Sequence, residues 1–307
     1  MLELSLVLAL PPVANATQWP TQSAPIPRIF QIAVAEGESL HVTIQGEGAP
    51  VVLLPGLLGS AYSYRRVTSA LIESGFQTVV IEPLGLGNAS RPSRADYSLT
   101  AQSDRVATAM GRLGIRQAIV VAHAVGASIA LRLAYRHPDL VRGIVSLDGG
   151  PAEAAATPGF RRAMRFAPWV KMLGGIRLVR RELRKEMIAG SADTSWVTDE
   201  VIAGYTSGQA TDLDGTLRAY LQMAGAREPE RLAPNLHRIA CPVRLLVGTA
   251  PHNGGIGRAE VLRLRAELPD FSIEEIAGAG HFLQEERPDV VSLAVQLVAH
   301  RAVAARP

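Results

Sequence analysis

The 307-residue sequence predicts an α/β fold: a mostly parallel central sheet flanked by helices, with a helical cap inserted into it. Three observations predict this. From residue 28 onward, short apolar runs alternate with helical periodicities, the pattern of a doubly wound sheet. Several of those runs are continuous, such as Val-Val-Leu-Leu at 51–54 and Ile-Val-Val at 119–121, as strands buried on both faces require. Between about 151 and 236 the rhythm stops and only helical patterns remain. A composition of 48% hydrophobic and 19% charged residues excludes a disordered or collagen-like chain.

In chain order, strands are expected at 29–35, 40–45, 51–54 and 78–82, with a helix at 64–74 between the third and fourth. Helix 101–113, strand 118–122, helix 126–135 and strand 143–147 continue the alternation. The helical stretch then holds segments at 159–172, 176–189, 199–205 and 213–224. Strand 243–247, helix 258–267, strand 272–276 and helix 288–299 resume the sheet pattern. The domain reading is a segment 1–27, a core built from 28–150 and 237–307, and a cap 151–236.

The first residues, Met1 to Leu10, are apolar apart from Glu3 and Ser5 and are followed by Ala14-Asn15-Ala16. An apolar run with a small-x-small triplet matches a secretory signal, although the usual positive start is absent. Export to a periplasm or outside the cell is therefore expected, with a cytoplasmic protein as the alternative. The run is shorter than the roughly 20 residues a bilayer span needs. Residues 17–27 have the composition of a linker. One cysteine, Cys241, excludes a disulfide framework and any multi-thiolate metal site.

Lysine occurs only at Lys171 and Lys185, so 29 of the 31 basic residues are Arg, yet the net charge is only +3. That balance does not point to nucleic acid. The charge is local: residues 160–186 hold nine basic residues against two acidic ones, a net +7, interleaved with Phe166, Trp169 and other apolar side chains. One reading is contact with an anionic membrane or substrate. The other is a lid whose Arg face is solvated and whose apolar side, with Phe166 and Trp169, walls a pocket for a small hydrophobic molecule.

Four motifs in order resemble the α/β-hydrolase family, in its lidded subgroup. Residues Val51 to Ser60 (Val-Val-Leu-Leu-Pro-Gly-Leu-Leu-Gly-Ser) resemble its strand and oxyanion loop, and Ile81 to Pro92 its next strand and Gly-rich loop. Residues Ala118 to Ala127 resemble the strand and nucleophile elbow, and Ala277 to Phe282 the loop of the catalytic histidine. The resemblance covers about 28–300 and implies the α/β-hydrolase fold; activity does not follow from fold alone.

The elbow departs from the family's Gly-x-Ser-x-Gly. It reads Ala122-His123-Ala124-Val125-Gly126, so Ala124 stands at the nucleophile position and is inert there. Three explanations stand: natural divergence, a Ser-to-Ala variant of an ordinary carboxylesterase-like hydrolase, or replacement by Ser60 or Ser128. Ser128 belongs a turn inside the helix, whereas Ser60 is a loop residue near the pocket. Pro55, Ala122 and a loop Gly248 to Gly255 without a carboxylate also depart from the pattern, which one engineered change would not produce.

The resemblance makes His281 the base. Some branches of the family place the acid where Asp148 ends the 143–147 strand, so Asp148 is either its partner or a turn cap before Gly149-Gly150. The backbone N–H groups of Leu57 and Val125 would form the oxyanion hole, which needs no serine. His123 is the elbow's variable position, either lining the pocket or packed. His252 with His281 would be a weak metal pair without nearby carboxylates. No metal or cofactor is implied, and either a monomer or a homodimer fits. The expected function is binding a small hydrophobic carbonyl or ester ligand, with hydrolysis or other general-base chemistry through His281. A non-catalytic pseudo-hydrolase binder is the alternative.

Overall fold

The computed structural model describes residues 26–156 and 158–304. The export reading of the first 16 residues lies outside them.

Eight strands form one sheet in the order β1-β2-β4-β3-β5-β6-β7-β8. They are β1 (Arg28–Ala35), β2 (Glu38–Gln45), β3 (Ala49–Leu54), β4 (Phe76–Glu82), β5 (Ala118–His123), β6 (Val141–Leu147), β7 (Val243–Gly248) and β8 (Phe271–Ile276). β2 runs antiparallel to β1 and β4, and every other pairing is parallel. All eight strands expected from the sequence are present, each longer by one or two residues. The fold is that of the α/β hydrolases.

Along β3 the side chains alternate between two cores, as a period of two dictates. Val52 and Leu54 join one face with Val79, Ile81, Val120 and Ala122. Val51 and Leu53 join the other with Val80, Ile119, Val121 and Val145. Helices α2 (Leu99–Arg112) and α3 (Val125–Arg136) contribute to the first core. Helix α1 (Arg65–Glu73), the short α10 (Leu283–Glu286) and α11 (Pro288–Ala304) contribute to the second. Helix α9 (Arg258–Glu267) connects β7 to β8. None of the described helices is long and apolar enough to cross a membrane.

The connection from β6 to β7 is helical: α4 (Pro158–Met164), α5 (Ile176–Ala189), α6 (Asp199–Tyr205), α7 (Ser207–Thr211) and α8 (Leu213–Gly225). The helix expected over 159–172 is broken. α4 stops at Met164 and a 3₁₀ turn, Ala167–Trp169, follows. Pro168 accounts for this, because its backbone has no N–H to donate to the Met164 carbonyl as a continuing helix requires. Leu183, Met187, Trp196, Val197, Val201, Ile202 and Tyr205 form a third apolar cluster that packs against Leu58, Tyr62 and Phe282 of the sheet domain.

Candidate active site

β5 is buried along its whole length and ends in a sharp turn into α3. Ala124 sits in that turn at φ 49°, ψ −120°. A non-glycine residue held there costs about 1–3 kcal/mol, so the surroundings must impose it. They do so through backbone bonds from Ala124 N–H to the Leu147 carbonyl and from Ala127 N–H to the Ala124 carbonyl, each 3.0 Å. Gly126 lets the turn close. A Cβ there would stand 2.7 Å from the Leu54 carbonyl oxygen and 3.0 Å from that of Pro55. The elbow thus keeps its strained geometry with a methyl group at its tip.

The loop after β3 lies against this tip. A Cβ on Gly56 would come within 3.4 Å of the Ala124 Cβ, so Leu57, the next residue, stands beside the elbow. Among the described residues, no turn or loop backbone bond uses the N–H of Leu57 or Val125. Both amides therefore have capacity for an acceptor. Ser60 follows in the same loop but is only 3% exposed, and among the described residues its hydroxyl has no partner. Ser128 is fully buried and committed: its hydroxyl donates to the Gly150 carbonyl and accepts from Ala152 N–H.

His281 is held on every side. Its backbone N–H donates to the Gly190 carbonyl at 2.7 Å, at the end of α5. Its carbonyl accepts from His123 Nε2 at 3.0 Å. Its ring Nδ1 stands 2.7 Å from Asp148 Oδ2. Asp148 is buried at φ 48°, immediately after β6. Its other oxygen, Oδ1, accepts from Ile256 N–H at 3.3 Å, so the carboxylate does not cap the Gly149-Gly150 turn.

Sequence reasoning missed the role of His252. Its Nε2 stands 2.7 Å from the same Asp148 Oδ2, and its Nδ1 stands 2.7 Å from the Ala250 carbonyl. Both ring nitrogens of His252 are therefore within hydrogen-bond distance of an oxygen. The missing signal is that carboxylate: the sequence near His252 holds none, and the fold brings Asp148 to it. Gly255 makes the arrangement fit, since a Cβ there would lie 2.6 Å from His252 Nε2 and about 3 Å from both Asp148 oxygens.

Among the described residues, Asp148, His252 and His281 are the cluster that could hold a metal ion, with ligand atoms within 4.8 Å of one another. Two ligands of one tetrahedral zinc, each about 2.0–2.1 Å from it, stand ~3.3 Å apart. The 2.7 Å separations are instead those of charge-assisted hydrogen bonds. The cluster reads as a hydrogen-bonded trio.

One open alternative is decided and one expectation needs correction. His123 is packed and does not line the pocket: it is 7% exposed and works as a strut to the His281 carbonyl. Burial, then the neighbouring His281, hold its imidazole well below the usual histidine range. Phe166 and Trp169 are not pocket walls, being 64% and 54% exposed. The inward positions of that stretch are Phe160, Met164 and Ala167, and the surface facing Leu58 and Phe282 comes from Trp196 and its neighbours. A buried acid, Glu82 at the end of β4, organises the nearby loops by accepting from Ala61 N–H at 2.7 Å and Asn88 N–H at 2.5 Å. Burial pushes its carboxyl up, against the pull of those two bonds.

Comparison with known proteins adds four findings. A family model for the alpha/beta hydrolase fold matches residues 49–178. Haloalkane dehalogenase 2 of Mycobacterium tuberculosis is 27% identical over 268 residues, 83% of this chain and 90% of its own length. Bifunctional epoxide hydrolase 2 of Rattus norvegicus is 29% identical over 141 residues, 44% of this chain and 26% of its own. Among solved structures, the epoxide hydrolase CorEH superposes with a TM-score of 0.75 at 24% identity, covering 90% of this chain and 99% of that one. At that identity the structural likeness speaks for the fold.

Proposed function

Because this chain belongs to the α/β-hydrolase family, we propose that it binds a small hydrophobic carbonyl or ester compound over Ala124, with His281 as general base toward water. The observation that carries this reading is the 2.7 Å contact of His281 Nδ1 with Asp148, on a loop tied to the elbow through His123. A carboxylate that accepts the Nδ1 hydrogen leaves the lone pair on Nε2. Residues 151–236 act as a cap, and Gly190 at the end of α5 couples it to the histidine.

Water gives a proton to Nε2 as its oxygen bonds to the carbonyl carbon. The carbonyl oxygen, now negative, is met by the N–H groups of Leu57 and Val125. The imidazolium then returns the proton to the departing alkoxide, so ester and water become acid and alcohol. Ala124 takes no part, because a methyl group forms no acyl intermediate.

Short-chain p-nitrophenyl esters test the proposal. Turnover that falls by about 10²-fold or more in His281→Ala supports it. Turnover indifferent to that change overturns it. A second reading, a non-catalytic binder, is favoured by Ala124 itself. Ligand binding without turnover, both in the protein as it stands and in Ala124→Ser, would establish it instead. Strong recovery of esterase activity in Ala124→Ser would identify an ordinary serine hydrolase scaffold lacking only its nucleophile.

A further inference from the structure

Residues 159–177 hold two sets of apolar side chains, and only one is packed inward. Phe160 and Met164 pack against the core and Ala167 is buried, with Phe160 edge-on to Tyr220 of α8 at 5.7 Å. Phe166, Trp169, Leu173 and Met172, in the 3₁₀ turn and the turns on either side of it, are 64%, 54%, 61% and 73% exposed respectively. Four large apolar side chains within eight residues are more than scattered surface hydrophobics.

Their surroundings are cationic. Arg161, Arg162, Arg165, Lys171 and Arg177 are all exposed, and no acidic residue occurs between Pro158 and Arg181. Of these five, only Lys171 pairs with a carboxylate among the described residues, Asp214 at 2.9 Å. Apolar side chains ringed by positive charge, four of the five groups without a carboxylate partner among the described residues, complement an anionic lipid surface, where the hydrocarbon boundary takes the former and the headgroups the latter. A second copy of the same face would bring ten like charges together, which disfavours a symmetric dimer through this patch.

We propose that this surface docks the protein on anionic membranes, with Phe166, Trp169, Met172 and Leu173 entering the headgroup boundary and the five basic residues on the headgroups. The inference is independent of the chemistry at His281.

The test is co-sedimentation of the full chain with vesicles of pure phosphatidylglycerol or pure phosphatidylcholine, with circular dichroism confirming that each variant is folded. Binding to phosphatidylglycerol and not to phosphatidylcholine is expected, weakening as salt rises. Arg161→Gln, Arg162→Gln and Arg165→Gln together should reduce partitioning by roughly 100-fold, at about fivefold per charge. Phe166→Ser with Trp169→Ser should reduce it at least about tenfold. The emission of Trp169 should shift to the blue on phosphatidylglycerol vesicles, and Trp169→Phe should remove the shift. Equal binding to both lipids, no binding to phosphatidylglycerol, or variants that bind as well as the parent would overturn the proposal. So would a concentration-dependent dimer abolished by Phe166→Ser with Trp169→Ser, which would assign the face to a second copy.

Discussion

Replacing Asp148 by Asn changes one oxygen for one amide group on a residue whose φ of 48° asparagine tolerates. The backbone should therefore stay in place while the hydrogen bonding fails. If the amide oxygen takes the Oδ2 position, it still accepts from His281 and His252, each at 2.7 Å. Each bond then drops from the charge-assisted to the neutral class, a loss of about 1–1.5 kcal/mol apiece. The amide NH₂ now faces Ile256 N–H, 3.3 Å from Oδ1, and two donors opposed in a buried site cost about 1–3 kcal/mol. The Asp148 side chain is 0% exposed, so solvent does not screen these losses. The expected destabilisation is about 3–6 kcal/mol. Urea unfolding of both proteins, read as midpoint and slope, measures it. A double-mutant cycle with His252→Ala should give a coupling above about 1 kcal/mol, because the two share one oxygen. A loss under about 1 kcal/mol with an unchanged slope would refute the argument that Asp148 is the hub of the trio.

Two further outcomes follow from the same region. His123 is held below its ordinary range, so between that lowered value and about 6.5 the unfolded chain binds the extra proton and the folded chain does not. Its contribution is fully present above about pH 6.5 and declines as the pH falls; from 6.5 to 5.0 the protein should lose about 1–2 kcal/mol more stability than His123→Asn. Denaturation at the two pH values checks this, and parallel curves would contradict it. Gly255→Ala places a Cβ 2.6 Å from His252 Nε2. It should push His252 off Asp148, visible as a change in the downfield imidazole N–H resonances, while an unchanged spectrum would show that the loop yields instead.

Much of this site could be read before any coordinate was known. The elbow is contiguous, so its spacing alone placed Ala124 after a buried strand and before a helix. His281 followed from the resemblance of its short Gly-rich loop to the family's catalytic-histidine loop. Asp148 could be nominated only as one of two alternatives, because nothing local distinguishes a turn cap from a partner 133 residues away. His252 was invisible as a partner: its role depends on the loop after β7 folding back over the end of β6, which pairs with β7 along Ile144–Leu147.

The segment 159–177 shows the same division. The sequence shows apolar residues interleaved with basic ones there and makes Phe166 and Trp169 pocket walls, but all the apolar side chains are of similar hydrophobicity, so it cannot say which of them meet the core. Contact with Tyr220 and the sheet domain decides for Phe160, Met164 and Ala167, and leaves Phe166 and Trp169 outside. By itself the sequence determined the strand and helix order, the α/β-hydrolase scaffold and the absence of a nucleophile at Ala124, because each is encoded in neighbouring residues. Only the tertiary structure decided that one buried carboxylate serves two histidines and that the basic apolar face points to solvent. Both depend on which distant surfaces meet, and the free energy that selects them comes from burial across the chain.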